Sequence, residues 1–159
     1  MGIKAPENVT VIDGYSLASP FERIIGFLID VFVYLILISL LFVVFRLAGI
    51  GWLAGVLSGL YLVFRDSISL LNYQSIGKKI MKLKVIYNND GMKISLQGAL
   101  KRNFIFLPNL FYAFEDIAFA ALSITLIFIL IEIYLLYTST DHQRLGDQFA
   151  DTIVIENYL

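Results

Sequence analysis

Cysteine is absent from this 159-residue chain, which excludes a disulfide framework, a thiolate metal site and a cysteine nucleophile. That absence leaves the redox compartment open. There is one histidine, His142, so a multi-histidine metal centre is excluded, and no Glu-x-x-His pair of the helix-borne kind occurs. The Gly-Lys pair in QSIGKKI lacks the rest of a phosphate loop, and no G-x-S-x-G elbow is present. Without such signatures we expect no enzyme, no cofactor and no metal. Net charge is −1, so no bulk field points to nucleic acid. Charge is scarce altogether, at 16% of residues against about 25% in soluble domains.

Apolar residues fill that space, and they come in long blocks. A bilayer core takes roughly 20 apolar residues of helix. Segment one (21–45) meets this with Asp30 as its only internal acid. Segment two (52–73) meets it up to Arg65-Asp66, and the last long segment (117–137) meets it except for Glu132. The stretch 96–114, LQGALKRNFIFLPNLFYAF, carries Lys101-Arg102 near its start and Pro108 within. It reads as a marginal or bent third span, or else as an interfacial amphipathic helix. The expected fold is an all-α membrane protein: a four-segment transmembrane bundle with a small cytoplasmic β element, in one domain over 1–159. The basic residues cluster in 78–102, which by the positive-inside rule makes the loop 75–95 cytoplasmic. The N-terminal segment 1–19 and, with four crossings, the tail 139–159 then lie on the same side, probing toward a plasma (inner) membrane location. The β-branched pieces VTVI (9–12), KLKVIY (82–87) and DTIVIE (151–156), with the turn signal NNDG between KVIY and MKIS, suggest a β element joining N-terminus, middle loop and C-terminus.

Ionisable groups inside a membrane are costly and face a bundle interior or water. At 1.5 Å per residue, Asp30, Asp66 and Glu132 each lie about 9–12 Å from the cytoplasmic ends of their segments. Three carboxylates on three helices therefore meet at one level, where Arg65 is the only base placed by the same arithmetic. Surplus negative charge in a desolvated site raises carboxyl pKa values, the condition for a proton or monovalent-cation site. The alternative is structural: buried pairs fix helix register. Gly51, Gly55 and Gly59 form a small-residue stripe for helix packing. Lys78, Lys79 and Lys82 suit anionic headgroups, and His142 reads as a solvated surface residue.

Three motifs occur in order: FERIIGFLID at the first span, QSIGKKIMKLKVI after the second, and QRLGDQFADTIVI near the end. Together they resemble the RDD family of small integral membrane proteins. The resemblance implies that Arg23, Asp30 and Asp147 are the Arg and two Asp of the family's name. It also implies transport of unassigned ligands, of which cation–proton exchange is one version. An Arg23–Asp147 pair would clamp the tail to the first helix. A lipid-modifying or lipid-handling protein using the basic loop lacks a visible nucleophile, and two functions stay open ahead of it. One is a proton or monovalent-cation transporter, acting as a homo-oligomer, with Asp30 as carrier tuned by Asp66 and Glu132 and with Arg23 and Asp147 at the entrance. The other is a non-transporting scaffold or accessory subunit.

Overall fold

The computed structural model describes residues 11–12, 15–111 and 114–156. Strands β1 (Val11–Ile12) and β2 (Tyr15–Ser16) form a short hairpin. Helix α1 (Pro20–Leu47) follows, then α2 (Trp52–Phe64), α3 (Ile76–Ile80), β3 (Leu83–Tyr87), α4 (Leu96–Arg102), α5 (Glu115–Thr138), α6 (Leu145–Phe149) and β4 (Thr152–Glu156). Short 3-10 turns follow α2, and a 3-10 helix, Phe104–Phe111, follows α4.

Helix α1 starts where a capping box forms: the Glu22 amide donates to Ser19 Oγ, and the Glu22 carboxylate takes the Ser19 amide. Pro20 sits in the first turn, where its missing N–H costs nothing. Among the described residues, helices α1 and α5 contain the two helical stretches long and apolar enough to cross a bilayer, 20–47 and 117–138, and only 11% and 22% of their most apolar windows are buried. A soluble core helix of that composition would be mostly buried. Here Leu28, Phe32, Leu40, Phe119, Ile127 and Leu130 are exposed, a surface far larger than water tolerates on a monomer. These are lipid-facing helices, and the chain is a membrane protein.

The stretch 96–114 is not one continuous helix. The α-helix stops at Arg102, and the chain tightens to 3-10 geometry through Pro108. A proline ring cannot continue an α-helical ladder. The β element also differs from expectation. β3 and β4 pair antiparallel along their whole length, with Val85 opposite Val154. The N-terminal contribution is Leu17, which bridges Ile155. Within 9–12, Val11–Ile12 pair with Tyr15–Ser16 instead, and residues 9 and 10 lie outside the described residues. The KVIY–MKIS hairpin is reduced to an Ile86–Lys93 bridge.

The two halves of the chain repeat. Q-x-x-G occurs twice, as Gln74-Ser75-Ile76-Gly77 and Gln143-Arg144-Leu145-Gly146, each opening a short helix that leads into a strand. The Gln74 amide donates to Leu83 O at 2.9 Å, and the Gln143 amide donates to Thr152 O at 3.1 Å. Left-handed backbone recurs at matching places: Tyr73 and His142 before the motifs, Lys82 and Asp151 before the strands. The bridges Leu17–Ile155 and Lys93–Ile86 correspond as well. Serines cap the leading helix of each half, Ser19 on α1 and Ser95 on α4. The two halves are thus related by a pseudo-two-fold axis through the Val85–Val154 pair.

The motif glycines are there for close approach. A methyl at Gly77 would overlap the carbonyl oxygen of Gly26, and one at Gly146 that of Arg102. The overlapped carbonyls are backbone at both places, so no side-chain rotation relieves the clash. Gly77→Ala is expected to cost about 1–3 kcal/mol by overpacking, and Gly146→Ala about the same. Thermal unfolding of the purified protein in detergent checks this, with Gly51→Ala as a control, since Gly51 has φ -55° and an added methyl there meets only ordinary contacts at 3.8 Å.

Candidate functional site

The repeat gathers the ionisable residues at the level where the long helices meet the short motif helices. Asp147 opens α6. Its carboxylate accepts the Arg144 amide at 3.1 Å and so caps the helix it belongs to. Three guanidiniums close on it: Arg23 from α1, Arg102 from α4 through Nε at 2.6 Å, and Arg144 at 3.4 Å. Arg23 also donates to the carbonyl of His142. That pins the left-handed His142 backbone to α1; the side chain is half-buried, with Nδ1 3.3 Å from the Leu136 carbonyl oxygen, and so is not fully solvated. Burial alone would raise the Asp147 carboxyl, but the guanidiniums of Arg102, Arg144 and Arg23 outweigh it and hold the pKa well below the usual value of 3.8. Arg144 moves the other way: burial opposes its charge, but Asp147 and Glu132 raise its pKa.

Arg102 is shared. Its Nη1 donates to Asp66 at 2.9 Å while Nε serves Asp147. Asp66 also takes the Lys78 ammonium at 2.7 Å and, more weakly, Asn103 Nδ2 at 3.4 Å. Asp30 accepts the amide of Gly77 at 2.7 Å, with Arg65 Nε at 3.7 Å. Glu132 does the equivalent for the second motif. It accepts the amide of Gly146 at 3.1 Å and faces Arg144 Nε at 3.3 Å. Each motif glycine is therefore clamped twice, by a carbonyl against its Cα and a carboxylate on its N–H. The Arg65 guanidinium lies over the rings of Phe27 and Phe106, 5.5 and 5.1 Å from their centroids, where the π faces offset part of its lost hydration.

Asp30, Asp66 and Glu132 do lie in this one region, but the expected charge balance is reversed. Four buried carboxylates (Asp30, Asp66, Glu132, Asp147) face five bases (Arg23, Arg65, Lys78, Arg102, Arg144). The site carries one surplus positive charge, not a surplus of acid. Arg102, Arg144 and Lys78 were missed as members because α-helical depth counting places only residues within spans. The signal was there in the repeated Q-x-x-G, which sets Lys78 and Asp147 at equivalent positions. Lys78 is buried against Asp66, so it is no headgroup contact, whereas Lys79 and Lys82 are exposed. The glycine stripe divides too. Gly51 lies near Phe42 and Arg46 of α1, but Gly59 packs against Leu110 of the 3-10 helix.

A cavity of about 170 Å³ adjoins the cluster, walled by apolar residues of α1 and α5 and lined by all five bases. Glu132 is the one acid that lines it. Among the described residues no group of His, Asp and Glu forms a metal site.

The model for the RDD family covers residues 17–151. The chain belongs to the RDD family. No curated protein and no solved structure matches it. In this RDD protein Arg23 and Asp147 make a direct buried pair, while Asp30 serves the Gly77 amide.

Removing one member of a buried pair strands the others, at about 3–5 kcal/mol. Asp147→Asn leaves three guanidiniums without their common acceptor and is expected to lose at least that much stability. Because the folded-state pKa of Asp147 is depressed, its contribution is present above the unfolded value near 4 and is lost as pH falls below it. Thermal melts of wild type from pH 7 down to pH 3 should show a fall below about pH 4 that is shallower in Asp147→Asn.

Proposed function

We propose that this RDD protein is a multi-pass carrier that exchanges protons for monovalent cations, with the exchange centred on the Lys78–Asp66 pair and not on Asp30. One observation carries the reading: a buried ammonium sits 2.7 Å from a buried carboxylate, beside a cavity. Burial pulls Lys78 down, Asp66 holds it up in part, and Arg102 and Arg65 lower it further, to about 8. Lys78 therefore releases its proton within reach of physiological pH. Loss of that proton takes the cluster from one surplus positive charge to neutrality and frees Asp66 Oδ1 to hold a monovalent cation, while Arg102 stays on Oδ2. Proton on Lys78 and cation on Asp66 then exclude each other, which is one-for-one exchange.

Four crossings with both ends cytoplasmic agree with the repeat. α1 leaves the β3–β4 ribbon at Ser19, and the chain returns to it at Gln74. The second half leaves at Ser95 and returns at Gln143. Between those points 96–114 is the segment available to reach the far leaflet. Exposed Lys79 and Lys82 then meet anionic headgroups on the cytoplasmic face. A homo-oligomer completes the pathway, since four segments around one cluster enclose no continuous route.

A second reading, a scaffold or accessory subunit whose buried charges fix helix packing, is favoured by a different observation. Only Glu132 of the three intramembrane acids lines the cavity, and each acid has a base beside it. Flux into proteoliposomes under imposed pH and Na⁺ or K⁺ gradients separates the two. Exchange predicts flux in wild type that rises through about pH 8 and is lost in Lys78→Arg, whose side chain keeps its proton. A scaffold predicts no flux in wild type at any pH.

A further inference from the structure

The cavity has a chemistry that the exchange reading does not use. Its inner wall is basic. Arg65 and Arg102 are each 1% exposed, and each lines the cavity. Each also keeps a buried guanidinium nitrogen, Arg65 Nη1 and Arg102 Nη2, that makes no hydrogen bond among the described residues. Buried donors of this kind are normally satisfied, and a charged one left unsatisfied costs more than a neutral one. The Lys78 ammonium belongs to the same wall.

The outer wall is apolar. Leu28 of α1 and Ile129 and Ile133 of α5 line it, and Leu28 and Ile133 are also exposed on the lipid-facing surface. The cavity thus opens sideways, between α1 and α5, toward acyl chains. A free inorganic ion would use the inner wall and leave the outer one without a role.

The geometry points to a binding site for an anionic amphiphile: a carboxylate or phosphate head at Arg65 and Arg102, and a hydrocarbon chain leaving between α1 and α5 past Leu28 and Ile133. Charge supports the sign. Five bases and four acids leave the cluster one positive charge in excess, and a monoanion brings it to zero in a medium where an unbalanced charge is expensive. The inference does not rest on cation exchange. It would hold for a scaffold equally, and its test reads binding alone. Where exchange does occur, a bound anion would keep the proton on Lys78 and compete with it.

Native mass spectrometry of the delipidated protein, reloaded with single compounds, tests this. Oleate and phosphatidylglycerol distinguish a fatty acid from a phospholipid source, phosphatidylcholine reports the need for net negative charge, and inorganic phosphate reports the need for a chain. The expected result is one retained oleate or phosphatidylglycerol per chain, with phosphatidylcholine and inorganic phosphate retained at least about tenfold less, a difference of about 1.4 kcal/mol. Leu28→Trp blocks the mouth from a lipid-facing position without touching a charge, and should cut retention about tenfold. Arg65→Gln, checked for folding by its melting curve, should do the same from the inner end. Equal retention of phosphatidylcholine and phosphatidylglycerol would overturn the proposal. So would retention unchanged in Leu28→Trp, or inorganic phosphate held as well as oleate.

Discussion

Three guanidiniums on one carboxylate hold this molecule together. Asp147 lies completely buried and takes Arg23 from α1, Arg102 from α4 and Arg144 from the residue before its own helix. A carboxylate in that setting is stable only because the bases are close and directed, and the bases are tolerated only because it is there. Arg102 extends the dependence to Asp66, and Asp66 to Lys78. A chain of ion pairs therefore runs from one Q-x-x-G motif to the other. Neither half can shift without uncovering a charge.

The backbone contacts obey the same logic. Gly77 lies against Gly26, and Gly146 against Arg102. Each contact brings a motif helix close enough for its N–H to reach a carboxylate on a long helix: Asp30 on α1 for the first, Glu132 on α5 for the second. Here the pseudo-two-fold relation breaks, because the first acid comes from the leading helix of its own half and the second from the returning one. Equivalent backbone geometry is served by non-equivalent side chains. The departure places Glu132 and Arg144 beside the cavity.

Some of this could be read from residues alone. The long apolar blocks around Asp30 and Glu132 marked α1 and α5, because lipid exposure demands continuous hydrophobicity. The β-branched runs KLKVIY and DTIVIE marked β3 and β4. The Arg23–Asp147 pair came from motif resemblance. What did not come through was the sign of the cluster. Counting depth along ideal helices finds acids that sit within spans, but Lys78, Arg102 and Arg144 come from short helices and loops that fold back onto that level. The end of α4 at Arg102 was equally hidden, since hydropathy does not register the change of helical pitch ahead of Pro108. The internal repeat was visible in Gln74/Gly77 and Gln143/Gly146, and it sets Lys78 at the position equivalent to Asp147.

The position of Asp147 in the chain also bears on how the protein is made. Arg23 and Arg102 leave the ribosome long before their acceptor does, and each must wait near the membrane with no carboxylate to neutralise it. Arg102 can meet Asp66 early, but Arg23 has no other acid partner among the described residues. Asp147, 124 residues downstream, therefore completes the charge balance of Arg23. A nascent chain stalled short of Asp147 presents the insertion machinery with an unmatched arginine on α1.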